Sequence, residues 1–196
     1  MATSGLIMLL YLVAHMIGNL KIFAGRQTFN SYANWLRTMG EPAIPRRTIL
    51  TVIEIVLVVC VVAHVTSAVQ LWRRAQRARP HNRDYTTRTM RWGGVIVGLF
   101  VVYHLLDITF RVANPLGAAH DPYDNVVASF QQWPVTAFYV LALIAIGFHI
   151  RHGITSAMAS LGVSHPVIPV AADTFAFLLT VGFLVVPFAV LIGAVS

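Results

Sequence analysis

The sequence predicts an all-α membrane protein, five transmembrane helices in one bundle with a short interfacial helix after the first span. Three observations lead there. Hydrophobic residues make up 57% of the 196-residue chain and charged residues only 11%, about half the charged share of a soluble domain. Mean hydropathy is +0.72. The apolar residues are gathered into four separate runs of roughly 20 residues or more, the length that crosses a ~30 Å hydrocarbon core at 1.5 Å per residue, and a slightly shorter run that opens the chain. No internal repeat is evident, and residues 1–196 read as a single transmembrane domain.

The first run, Ala2–Phe23, has no basic segment before it and no small-residue cleavage site after it. It is expected to be a true span, not a signal peptide. In the connection that follows, Phe29, Tyr32, Ala33 and Leu36 recur at helical spacing with Trp35 beside them. That pattern predicts a short helix lying in the membrane interface, a lid over a site opening to the outer surface. Pro42 and Pro45 close it. The remaining spans are placed at Arg46–Trp72, Met90–Ala113, Trp133–Leu161 and Ala171–Val195, several of them long enough to tilt.

The net charge of +7 comes from 14 basic residues, all arginine except Lys21. They cluster just outside the apolar runs, which points to topology and lipid headgroups and away from nucleic acid. The second connection holds Arg73, Arg74, Arg77, Arg79, Arg83, Arg88 and Arg91, whereas the third holds only Arg111, offset by Asp121 and Asp124. The positive-inside rule therefore puts the second connection and the N-terminus in the cytoplasm, in a multi-pass protein of the cytoplasmic membrane. The single cysteine, Cys60, makes no internal disulfide and holds no iron–sulfur cluster, so any such cluster belongs to a partner chain.

Of eight histidines, His15, His64, His104 and His149 fall one on each of the first four spans. Ionisable side chains at membrane depth are costly, and each is a functional candidate by default. Their depths sharpen the case. His15 and His104 both fall late in spans running outward. His64 and His149 both fall past the middle of spans running inward. The four therefore sort into an outer pair and an inner pair. Two neutral imidazoles from facing helices are the axial ligands of a six-coordinate b haem, so two haem b groups and electron transfer are expected. Small neighbours one turn from the ligands make room for a haem plane: Gly18 for His15, Cys60, Ser67 and Ala68 for His64, and Ala145 and Gly153 for His149. His104 has Phe100 and Asp107 instead.

Haem propionates call for cations. Lys21, Arg26, Arg37, Arg46 and Arg47 are available outside, and Arg73, Arg74, Arg151 and His152 inside. Asp107 is expected to pair with Arg111 four residues on. Glu54, without an evident local partner, and Glu41, at the end of the lid, are the candidates for handling quinone protons. His81, His120 and His165 read as surface residues.

Three stretches carry a resemblance. Gly5-Leu-Ile-Met-Leu-Leu-Tyr-Leu-Val-Ala-His15-Met-Ile-Gly18-Asn19-Leu, Phe29-Asn-Ser-Tyr32-Ala-Asn-Trp-Leu36-Arg37 and Phe148-His149-Ile-Arg151-His152-Gly153-Ile-Thr-Ser156, with Tyr103-His104, resemble the five-helix, dihaem cytochrome b anchor of succinate:quinone oxidoreductases. The resemblance implies a subunit without catalytic residues of its own, attached to a flavoprotein that handles the dicarboxylate and to an iron–sulfur subunit on the cytoplasmic side. It implies an inner haem on His64 and His149, an outer haem on His15 and His104, quinone (menaquinone) as the substrate, and assembly in lipid, with a higher oligomer of the complex as a further expectation. One departure is visible: the family's basic segment before the first helix is missing, and this chain opens almost within the membrane. The alternative is the haem b subunit of another membrane oxidoreductase, such as a hydrogenase, a formate dehydrogenase or a b561-like cytochrome. A transporter would call for helices broken at the midplane, and Pro187 is the sole proline deep inside a span.

Overall fold

A bilayer offers peptide groups no water, so each apolar run satisfies its backbone internally as a helix. The computed structural model describes residues 1–78 and 85–196. Helix α1 spans Ala2–Leu20 and tightens into a 3₁₀ turn, Lys21–Ala24; α2 spans Arg26–Thr38; α3 spans Thr48–Ala78. Helix α4, Tyr85–His104, runs on through a π turn, Leu105–Thr109. Helices α5 (Pro122–Gln131), α6 (Trp133–Ser160) and α7 (Val167–Leu191) complete the chain. Five of the helical segments are long and apolar enough to cross a membrane: Ala2–Ala24, Thr48–Arg77, Thr89–Thr109, Trp133–Ser160 and Val167–Leu191. The protein is thus an all-helical, multi-pass membrane protein. Arg79, His81 and Arg83 of the basic connection lie outside the described residues.

The expected lid forms as α2. A second short helix, α5, was not anticipated and packs beside it. Asp121 caps α5 by accepting a hydrogen bond from the Asp124 amide at 2.9 Å, with Pro122 in the first turn. Arg26 of α2 pairs with Asp124 and, at 3.4 Å, with Asp121. The Asn30 side chain accepts from the Tyr123 amide at 3.1 Å. Together α2 and α5 cover one end of the bundle, here called the capped end.

Helices α6 and α7 form the spine. Small residues let them approach: a methyl group on Gly147 would overlap Thr180, and one on Gly182 would overlap Met16 of α1. Pro187, inside α7, is fully buried. The most apolar stretch of α7 has 39% of its residues buried against only 6% in α3. Helix α3 is a wall that packs on α1 and faces lipid on most of its surface, as its exposed Val52, Ile55, Val58, Val59 and Val62 require. Two apolar clusters result. One, with Phe100, Phe130, Tyr139 and Val190, lies under the cap; the other, with Leu143, Leu179 and Phe183, lies farther along the spine against Leu12 and Met16.

The third span ends at Thr109, short of Ala113. Arg111 follows with φ of 61°, beyond the helix. The expected Asp107–Arg111 pair therefore does not form. Arg111 donates to the carbonyls of His120 at 2.9 Å and Ala118 at 3.4 Å, holding the connection to α5.

Candidate functional site

The helices bring the four intramembrane histidines together two by two. His15 of α1 and His104 of α4 have ring centres 5.9 Å apart at an interplanar angle of 84°. His64 of α3 and His149 of α6 stand 6.2 Å apart at 62°. A metal–imidazole bond is about 2 Å, so two such bonds in line on one metal atom set ring centres about 6 Å apart. Both pairs meet that spacing. Among the described residues, no group of three His, Cys, Asp or Glu gathers as a metal site. Each pair thus brings together two imidazoles, a set that could serve only a metal whose remaining ligands come with it, as a porphyrin provides.

The surroundings of the pairs differ. The His15 ring stacks on Tyr11 at 5.4 Å and lies 5.8 Å from Phe183. His104 leans on Phe100 at 5.7 Å, and its Nδ1 lies 3.3 Å from the Tyr139 hydroxyl. At the other pair, the Nδ1 atoms of His64 and His149 are buried with no hydrogen-bond partner among the described residues. A Cβ on Gly5 would sit 3.6 Å from the His64 ring, and one on Gly94 3.6 Å from the His149 ring. Gly153, one turn from His149, faces open space, the kind of gap a flat cofactor beside an orphaned imidazole requires.

Gly18 serves a different neighbour from the one expected. It is buried, and a Cβ there would lie 2.8 Å from Cε1 of Tyr32, so the space it leaves is taken by the lid helix.

At the capped end, Arg37 is half-buried and donates to the Ala33 carbonyl at 3.0 Å. Burial, reinforced by the positive charges of Arg111, Arg47 and Arg46, lowers its guanidinium from the ordinary arginine value. Arg37, Arg46, Arg47 and Arg111 thus gather positive charge in one region, with Glu54 opposing it. Glu54 is not without a partner: Arg47, turned by a φ of 67°, reaches it at 3.8 Å. Glu41 is exposed on the lid connection. At the opposite end Arg151 is held by Asp173 of α7, with Nη2 donating to Oδ2 at 3.2 Å, and His152 beside it is half-buried.

Sequence reasoning missed a buried polar knot next to His104. Asp107, in the middle of the π turn, is fully buried. Its Oδ2 accepts from Ser129 of α5 at 2.5 Å and from the Tyr139 hydroxyl of α6 at 2.8 Å. Its Oδ1 accepts from the Asn114 amide at 3.1 Å, which also donates to the Asn125 carbonyl at 3.0 Å. The membrane-depth acid was the available signal. Its partners come from three separate segments and leave no local pattern.

Among known families, the chain matches the succinate dehydrogenase/fumarate reductase transmembrane subunit over residues 65–191. No curated protein and no solved structure matches. The matched stretch holds His104 and His149 and begins one residue after His64.

Proposed function

The chain belongs to the succinate dehydrogenase/fumarate reductase transmembrane subunits, and on that premise we propose that it anchors the complex and carries electrons from an iron–sulfur subunit to quinone through two bis-histidine b haems. The observation that carries this reading is the pairing of four intramembrane imidazoles at 5.9 and 6.2 Å on four different helices. A haem ligated on both faces supplies reversible one-electron transfer and leaves no open position for dioxygen.

The chain's own residues have distinct tasks in this scheme. His15 and His104 would hold the iron of one haem at the capped end, and His64 and His149 that of a second haem at the other. Each imidazole is neutral, as ligation requires. Arg37, Arg46, Arg47 and Arg111 offer positive charge to propionates at the capped end. Arg151 first serves its ion pair with Asp173, which fastens α6 to α7, and His152 is the half-buried polar side chain beside it. Glu54 and Glu41 are the carboxylates on the capped side that would deliver protons to a reduced quinone, menaquinone in this reading. Dicarboxylate chemistry belongs to the flavoprotein partner, docked at the end opposite the cap, with the N-terminus on that same cytoplasmic side.

The test is a haem count and a reduced-minus-oxidised absorption spectrum of the purified complex. Two b haems per chain, reducible in part by succinate, are the expected result. Two haems that ignore succinate would point to a different electron donor, and an absence of haem would overturn the assignment of the four histidines.

A further inference from the structure

Two of the polar groups around the histidine pairs are ordered in a line. Tyr139 donates its hydroxyl proton to Asp107 at 2.8 Å. Its oxygen then has only lone pairs to offer His104 Nδ1, 3.3 Å away. Asp107 is held as the terminal acceptor because Asn114 and Ser129 also donate into it. The direction of every bond is thereby set, and the proton of a neutral His104 is placed on Nδ1.

The local backbone serves this arrangement. A π turn is rare and costs regular helix geometry, and this one begins at Leu105, directly after His104. Its wide winding carries Asp107 inward to α5 and α6. No other histidine of the four has such a line. Nδ1 of His149 has no partner among the described residues, although it sits at the same kind of ring-to-ring spacing.

We propose that Asp107 and Tyr139 are positioning residues that fix His104 as its Nδ1–H tautomer, present Nε2 as the ligating atom, and lower the reduction potential of the capped-end haem. The inference rests on the haem reading above. Its physical basis is that a hydrogen bond from the distal ring nitrogen to an acceptor makes an imidazole a more basic ligand. A more basic ligand favours the oxidised metal, so breaking the line makes that haem easier to reduce.

The experiment is a spectroelectrochemical titration of the assembled, purified complex, with its two b haems assigned to their levels by His104→Ala and His149→Ala variants. Tyr139→Phe keeps the ring, which packs against Phe100 and Phe130, and removes the line. It is expected to shift the capped-end haem toward reduction about tenfold, or about 59 mV for one electron, leaving the other haem in place. Asp107→Asn, which puts an amide donor opposite Tyr139 and frees its hydroxyl to turn toward Nδ1, should shift it in the same direction. Ser129→Ala, which removes one donor into Asp107 but keeps the Tyr139–Asp107 and Tyr139–His104 contacts, should shift it far less. An unmoved midpoint in Tyr139→Phe, both haems moving together, or Ser129→Ala matching Tyr139→Phe would each overturn the inference. If Asp107→Asn fails to assemble, the Tyr139→Phe result decides. Absence of haem from the unaltered complex would sink the haem reading itself, whereas two haems with unmoved midpoints would sink only this inference.

Discussion

The two histidine pairs share a spacing and differ in how their rings are held. At the capped end, His104 ends a line of hydrogen bonds that runs through Tyr139 to a buried carboxylate. At the other end, His64 rides on α3, the least buried of the five spans, and neither His64 nor His149 has an Nδ1 partner among the described residues. In one pair His104 is oriented by a polar network and His15 by ring stacking, whereas the other pair has glycines close against its rings. Ring separation alone therefore does not make two sites equivalent. Ligand spacing is set by where helices cross, whereas ligand character is set by what touches the far nitrogen.

The sharpest way to break the comparison is to remove one ring from each pair. His104→Ala should leave one haem per chain, at the uncapped end, and His149→Ala should leave one at the capped end. Haem content against protein in each variant checks this, and loss of both haems from either variant would mean that the levels are not independent.

The spine offers a control that should spare neither level. Gly147→Leu would drive a side chain into Thr180 and force α6 from α7. Overpacking of this kind destabilises by about 3 kcal/mol. Thermal unfolding in detergent should show it, with both haems released together. Release of one haem well before the other would show that the spine does not unite the two levels.

A smaller effect should be confined to the cap. Asn114→Ala strips from buried Asp107 the donor to its Oδ1 and removes a side-chain bond to the Asn125 carbonyl. A buried group left unsatisfied costs about 2 kcal/mol. The loss should appear as faster hydrogen exchange in α5 with α3 unchanged. Equal exchange in the two helices would argue against a local role.

The smallest effect concerns the lid. Burial alone would raise the Asp121 carboxyl, but the Asp124 amide, Arg26 and Asn30 together hold it below the ordinary aspartate range. A carboxyl depressed in the folded state stabilises the fold at pH values above its unfolded value, about 3.9. That contribution disappears as pH falls through the folded value. Asp121→Asn keeps an N-cap acceptor and removes the charge. The variant should be slightly less stable than the unaltered protein at neutral pH, and the gap should close in acid below about pH 4. A gap that persists there would assign the effect to the cap, not to charge.

Much of the fold was legible because a bilayer imposes it: runs of apolar residues have no alternative to the helix. The lid helix was legible too, since Phe29, Tyr32 and Leu36 repeat at helical spacing. Depth along the spans put His15 with His104 and His64 with His149, and these are the rings that meet across the bundle. Helix α5 was overlooked although Asp121-Pro122 is a capped helix start, because its 10 residues sit in a connection that charge counting treated as a loop. The knot around Asp107 was beyond local reading. Its partners at 114, 129 and 139 come from three segments, and the i+4 partner that spacing suggested, Arg111, lies past the end of the helix. Gly18 shows the same limit, since a gap in sequence does not say which neighbour fills it.

The π turn after His104 spaces its hydrogen-bonded partners one residue wider than the α-helix before it, so its register hangs on a single residue. Removing Leu106 would return the segment to ordinary winding and rotate the acid off its three donors, while every other apolar run kept its composition. A variant without that residue would still show five spans in its hydropathy, yet its capped-end histidine would have no say over its own proton.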